Sequence, residues 1–444
     1  MIRDLTEGSI HKKLWLFSIP MLISVVFQQI YNIADSMIAG KYAGEDALAA
    51  VGASYPITML FIAVAMGCNI GCSVIISQLF GAKDIAGLKT AVYTTYISCA
   101  ALSAGLTILG FLTSKPLLRL IHTPENIFAD SGLYLNIYIG GLVFLFFYNV
   151  CTGIFNALGD SRTPLIFLIG SSVANILLDL WFVITFRMGV AGVAWATFIA
   201  QGVSAVLCLL TLTKRLRSMQ TSGTVALFSS AMLGKISSVA IPSILQQSFI
   251  SIGNMFIQSL VNGFGSGVIA GYSAAIKLNT FAITSFTTLA NGLSTFTAQN
   301  IGANKPERVK KGFWSGMLLA LCIVTPFFAA YFFANQPLMQ LFLTDTGSTA
   351  LQTGKEFLSL VAPFYFAVCT KLMADSVLRG SGAMRYFMIT TFTDLVLRII
   401  LAFLLAPKFG PNGIWMSWPI GWSIAAALSL VFYFSGVWRK NNFS

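Results

Sequence analysis

The chain has 444 residues, of which 56% are hydrophobic and only 9% charged, with a formal net charge of +12. A water-facing domain carries about 25% charged residues, so this composition excludes a soluble enzyme, a nucleic-acid binder, a disordered chain and a disulfide-stapled secreted domain. Apolar runs of about 20 residues, the length that spans a bilayer as a helix, recur from end to end, whereas the ~10-residue alternating segments of an outer-membrane barrel are absent. The expected class is an all-α polytopic membrane protein.

The polar start, Met1 to Lys13, leads straight into the first apolar run. That run is too long for the h-region of a signal peptide and is followed by Gln28, Gln29, Asn32 and Asp35, so it reads as the first span. Polar breaks divide the chain into twelve helices. The first six lie at approximately 14–38, 47–79, 88–113, 131–156, 164–186 and 190–212, and the second six at approximately 236–262, 267–299, 312–334, 356–378, 386–406 and 412–436. With both termini inside, 18 of the 27 basic residues fall in cytoplasmic segments and six in outer loops, which orients the bundle by the positive-inside rule. The expected location is a membrane that the chain crosses many times, with both termini on its cytoplasmic side. The seven cysteines all fall within spans without a CxxC or Cys/His cluster, so neither a metal site nor a disulfide framework is expected. His11 and His122 lie outside the spans and cannot form an intramembrane proton relay.

The chain repeats itself at a shift near 221 residues. Ile19-Pro20 matches Ile241-Pro242, Gln78-Leu-Phe-Gly81-Ala82 matches Gln299-Asn-Ile-Gly302-Ala303, Pro116 matches Pro337, and Gly189-Val-Ala-Gly192 matches Gly410-Pro-Asn-Gly413. Two pseudo-symmetric six-helix bundles follow, at 1–212 and 236–444, joined by a cytoplasmic linker at 213–235. An even number of helices per copy makes the repeat parallel, with an axis along the membrane normal and a central cavity. That symmetry suits alternating access.

A carboxylate at the bilayer centre costs roughly 2.5–3.5 kcal/mol even on insertion scales, so each one is a candidate functional group. In the first half, Asp35 lies late in helix one, Asn175 and Asp179 sit one turn apart on helix five, and Thr197 lies on helix six. Two carboxylates, an amide and a hydroxyl suit Na⁺ or a shared proton, and no basic residue lies deep in these spans to neutralise the acids. In the second half, Asp394 and Arg398 are spaced to pair along one helix, and Lys277, Lys371 and Asp375 offer further compensation. This charge network reads equally as structural or as a second functional site. Gln28, Gln29, Asn32, Gln246, Gln247 and Asn254 take corresponding places in helices one and seven, where they either line the cavity or bond across packed helices. Pro20 and Pro242 begin those two helices; Pro20 either lets helix one bend beside Asp35 or only fits it to a curved cavity. The many Phe and Met residues mostly face lipid or neighbouring helices, but a cavity lined by them would accept varied apolar ligands and attract organic cations.

With these segments, and with Asn156-Ala-Leu-Gly159-Asp160-Ser-Arg162-Thr-Pro164 and Leu378-Arg379-Gly380, the sequence resembles the multidrug and toxic compound extrusion (MATE) family over nearly its whole length, most of all the DNA-damage-inducible and archaeal-type branch. The resemblance implies a coupling-cation site at Asp35, Asn175, Asp179 and Thr197 and a kinking proline at Pro20. It further implies V-shaped alternating access and export of cationic, amphipathic small molecules in exchange for H⁺ or Na⁺, with no cofactor. Besides these substrates the expected partners are membrane lipids, with no nucleic acid, and the chain reads as a monomer. The sequence departs from the branch that uses an acid in helix seven, since 236–262 contains no Asp or Glu. A lipid-linked oligosaccharide flippase of the same superfamily is the alternative; acids rather than basic residues in the first half weigh against it.

Overall fold

The computed structural model describes residues 3–38, 42–343 and 349–439, apart from the side chains of residues 35, 36, 45, 46 and 48. These residues are almost entirely helical. The first half comprises α1 (Ile10–Ile38), α2 (Glu45–Gly81), α3 (Ile85–Leu120), α4 (Glu125–Gly140), α5 (Leu142–Ala157), α6 (Arg162–Leu180) and α7 (Val190–Ser218). The second comprises α8 (Ser230–Asn262), α9 (Ser266–Gly302), α10 (Pro306–Phe333), the short α11 (Asn335–Gln340), α12 (Thr349–Val361), α13 (Tyr365–Gly380), α14 (Met384–Phe409) and α15 (Pro411–Phe434). Helices dominate because a bilayer offers no hydrogen-bond partner, so each span must satisfy its backbone internally.

Among the described residues, ten helices are long and apolar enough to cross a membrane, and eleven with the bent pair α4–α5 taken as one span. The twelfth rod is α9, which has the length but carries buried Asn279, Ser285, Ser294, Thr295, Thr297, Gln299 and Asn300, most of them crowded into its last three turns. Two expected helices are interrupted. The fourth starts at Glu125 and bends by 49° at Gly141, where a Cβ on the glycine would come within 3.1 Å of the Phe198 ring. The tenth is broken by a 3₁₀ turn at Ala362–Phe364, which contains Pro363. Proline cannot donate the missing ladder bond, yet α1, α2, α8, α10 and α15 run on through Pro20, Pro56, Pro242, Pro326 and Pro419.

The chain divides into two compact units, the first formed by Met1–Asp4 and Ile23–Gln247, the second by Leu5–Leu22 and Ser248–Ser444. In the first unit α2 packs on α3, α4 and α5, and α7 on α4, α5 and α6. In the second, α9 packs on α10, α12 and α13, while α15 packs on α12, α13 and α14. The start of α1 therefore packs within the second unit and the start of α8 within the first, with Pro20 and Pro242 close to each changeover. Small residues allow these approaches. Gly67 and Gly71 of α2 lie so near Ile244 and Ala240 of α8 that an added Cβ would overlap them.

The segments ahead of these two helices are tied down in the same way. Before α8, the Ala226 and Ser229 amides donate to Thr90 Oγ1 and Thr94 Oγ1 of α3, each at 3.1 Å. Before α1, the Leu5 amide donates to Gln299 Oε1 at 2.9 Å, and Lys305 and Arg308 donate to the Thr6 and Gly8 carbonyls. Within the first unit, the Arg3 amide donates to the Leu158 carbonyl at 3.2 Å, directly over Gly159. That residue has φ +73° and no room for a Cβ beneath the Arg3 carbonyl. Gly159→Ala therefore combines backbone strain with a steric clash, and a loss of about 1–3 kcal/mol is expected. Thermal melting of the purified variant in detergent measures it.

Candidate functional site

Three polar residues, Ser172, Asn175 and Asp179, recur at helical spacing on the buried face of α6. Asp179 is completely buried and Asn175 is 2% exposed. Against them lies α7, which starts at Gly189 with φ 55° and brings the half-buried Thr197 opposite Asn175. The Asn175 amide satisfies both of its ends when its nitrogen donates to Asp179 Oδ2 at 2.8 Å. Its oxygen then accepts from the Thr197 amide at 3.0 Å and from Thr197 Oγ1 at 3.3 Å. A carboxylate, an amide and a hydroxyl thus form one hydrogen-bonded cluster in a low-dielectric place, and these oxygen-bearing groups suit a hard monovalent cation or a proton.

Immediately after Asp179 the helix loosens into a π-helical turn, Trp181–Thr185, a device frequent at functional sites. Around it Trp181 stacks on Phe182, and Phe186 packs at a tilt against both. On the other side of Thr197, a cavity with room for about one water molecule is lined by Tyr134, Ile137, Tyr138, Gly141, Ala194, Thr197, Phe198 and Gln201. The Gly141 bend shapes this cavity, and neither feature carried a signal in the sequence beyond the Gly140-Gly141 pair. Asp35 belongs to α1, and its side chain lies outside the described residues. Along the same helix Pro20 is buried, Gln28 and Asn32 are exposed, and Asn32 donates to Gln29 Oε1 at 3.3 Å. In α8, Gln246 and Gln247 are half-buried and Asn254 is exposed, with Gln247 Nε2 3.5 Å from Met66 Sδ.

The second unit holds the charge network, with two changes from the expected pairing. Lys371 Nζ donates to Asp375 Oδ2 at 2.9 Å, one turn along α13, and lies 3.8 Å from Asp394 Oδ2 on α14. Asp394 therefore pairs with Lys371 rather than with Arg398, because the two α14 side chains diverge. Arg398 turns to α15 and stacks its guanidinium 4.7 Å from the Trp418 ring centroid. Lys277 is exposed on α9 and takes no part. Asp375 Oδ1 accepts from Thr390 Oγ1 at 2.8 Å and Ser429 Oγ at 2.7 Å, two hydroxyls that sequence reasoning missed because Ser and Thr are common in spans. Arg379, expected in a cytoplasmic segment, is buried at the end of α13 and donates to Asn291 Oδ1 at 2.6 Å.

The Asp160 segment acquires a role as well. Its carboxylate caps the start of α6, accepting from the Arg162 and Thr163 amides at 3.2 and 3.1 Å and from Thr163 Oγ1 at 2.7 Å. It also pairs with Arg215 of α7. Burial alone would raise its pKa, but the Arg215 and Thr163 hydrogen bonds outweigh burial and hold it below the usual 3.8. A carboxylate with a depressed folded pKa stabilises the fold above the unfolded value, and that contribution is lost as pH falls through the folded one. Asp160→Asn is expected to cost about 1–3 kcal/mol at neutral pH. In thermal melts the gap to the wild type should narrow once the pH drops below about 4.

The MatE family profile matches residues 20–181 and 242–404. The probable multidrug resistance protein YpnP of Bacillus subtilis is 28% identical over 438 residues, covering 98% of this chain and 97% of its own. The probable multidrug resistance protein YoeA of the same organism is 28% identical over 450 residues, covering 98% and 96%. Among solved structures, a transporter of the MOP superfamily from Pyrococcus furiosus superposes with a TM-score of 0.90 at 24% identity, covering 97% of each chain.

Proposed function

Because the chain belongs to the MatE family and is a multi-pass membrane protein, we propose that it is a secondary antiporter exporting small organic compounds, cationic and amphipathic in character, in exchange for H⁺ or Na⁺. The names of the Bacillus relatives support multidrug export. The observation that carries ion coupling is the buried contact of Asn175 with both Asp179 and Thr197. We place the coupling site there, with Asp35 as its fourth member, and the chain in the cytoplasmic membrane of a prokaryote with both termini inside, working as a monomer among membrane lipids.

The coupling follows from electrostatics. An ionised carboxylate buried this deeply is costly unless a cation or a proton offsets it. Loading either one at Asp179 changes which oxygens Asn175 and Thr197 must satisfy, and so changes how α6 sits on α7. The π-helical turn beside Asp179 has a looser hydrogen-bond ladder than the α-helix before it and is the place where such a change is most easily absorbed. Alternating access then links cation release on one side of the membrane to drug release on the other.

Two variants test this in proteoliposomes loaded with ethidium under separately imposed Na⁺ and H⁺ gradients. Asp179→Asn keeps the shape but not the charge, and gradient-driven export should fall by at least about tenfold. Thr197→Ala removes one neutral oxygen ligand and should cost several-fold, on the order of one hydrogen bond. Unchanged export by Asp179→Asn would remove the site from the coupling reaction.

A further inference from the structure

The internal repeat reaches into the site itself. The two matched segments begin at residues 20 and 242 and end at 181 and 404, offsets of 222 and 223. At an offset of 223 the buried face of α6, Pro164, Ser172, Asn175 and Asp179, falls on Phe387, Leu395, Arg398 and Ala402 of α14, all of them buried. The next helices open on glycines of nearly the same conformation 221 residues apart, Gly189 (φ 55°, ψ −132°) and Gly410 (φ 61°, ψ −146°). At that offset Thr197 falls on Trp418. The Asn175–Thr197 contact of the first unit thus has the Arg398–Trp418 stack of the second as its counterpart.

The chemistry at the two places is opposite. The first unit offers oxygen atoms that a cation could bind. The second unit supplies a cation of its own, a guanidinium 4.7 Å from an indole centroid on a residue only 7% exposed. The acid of the first site is replaced by Ala402, which is completely buried. Among the described residues Arg398 has no hydrogen-bond or ion-pair partner, because Lys371 takes both nearby carboxylates. The π-helical turn that follows Asp179 is also lacking after Ala402, where α14 runs on to Phe409. A guanidinium stays protonated throughout the biological pH range, is held by the indole face, and repels a second cation at close range.

We propose that Arg398 is a tethered cation occupying the second unit's counterpart of the coupling site, so that only the first unit loads and releases an inorganic cation or proton. This inference rests on the coupling role proposed for Asp179. In that role Arg398 is a specificity-determining residue: it fixes which unit exchanges its cation.

Chemical rescue separates a tethered charge from simple packing. In proteoliposomes, Arg398→Ala should lower gradient-driven ethidium export on the order of tenfold. Millimolar guanidinium chloride should restore export to within about twofold of wild type, whereas urea, neutral and of similar shape, should not. Guanidinium should likewise raise the melting temperature of Arg398→Ala but not that of the wild type. Export by Arg398→Ala close to wild type, rescue by urea as good as by guanidinium, or rescue by neither would overturn the assignment. If the alanine variant does not fold, Arg398→Lys and Arg398→Met carry the test, the charged variant retaining several-fold more export; equal export would overturn it. Gradient dependence that survives in Asp179→Asn but disappears in Arg398→Lys would place an exchangeable cation in the second unit and also overturn it. Full export by Asp179→Asn would instead show that the proposed coupling reading has failed, whatever guanidinium does.

Discussion

A hydrocarbon interior leaves a buried charge nothing to bind except what the protein itself provides, and the polar architecture of this chain is organised by that constraint. Each buried carboxylate among the described residues has found its own answer. Asp179 is hydrogen-bonded by Asn175. Asp375 is held by a lysine and two hydroxyls, and Asp394 rests at 3.8 Å from the same lysine. At the edge of the spans, Asp160 is held by an arginine and a helix N-terminus. The first of these answers uses a neutral amide, and the others use fixed cations.

That contrast gives the two units different chemistry on one framework. Both open their last long helix on a left-handed glycine and pack it against a helix with an inward polar face. In the first unit the face ends in an acid and a π-helical turn, an arrangement with a weakened ladder beside a titratable group. In the second unit it ends in an arginine, an alanine and an uninterrupted helix, backed by Trp415, Trp418 and Trp422 packed with Tyr272, Phe357 and Tyr365. Stacked aromatic rings and satisfied ion pairs favour one arrangement of side chains over many.

The exchange of helix starts shows how chain order and packing can part company. Leu5–Leu22 precedes the first bundle in sequence but packs with the second unit, and α8 up to Gln247 follows it but packs with the first. A boundary drawn at the polar linker therefore misses it, since composition marks where the chain leaves the membrane and not which neighbours a helix meets. The glycines at 67 and 71 do mark a close approach, but they do not name Ala240 and Ile244 as the residues approached.

The sequence by itself determined the membrane class, the twelve rods, the parallel repeat and which residues are expensive enough to need a reason. Hydropathy, Lys and Arg placement and repeated Gly and Pro positions are written along the chain, each within a window of about 20 residues. It also brought Asn175, Asp179 and Thr197 forward as candidates, because two lie one turn apart and buried acids are rare. Only the tertiary structure decided the pairings. Asp394 and Arg398 have ideal spacing for each other, yet one faces α13 and the other α15, and neighbouring helices set those directions. The bend at Gly141, the π-helical turn after Asp179 and the burial of Arg379 depend in the same way on residues distant in sequence. Pairing in a low-dielectric interior is decided by whichever partner packing brings within reach, and spacing along one helix supplies only the candidates.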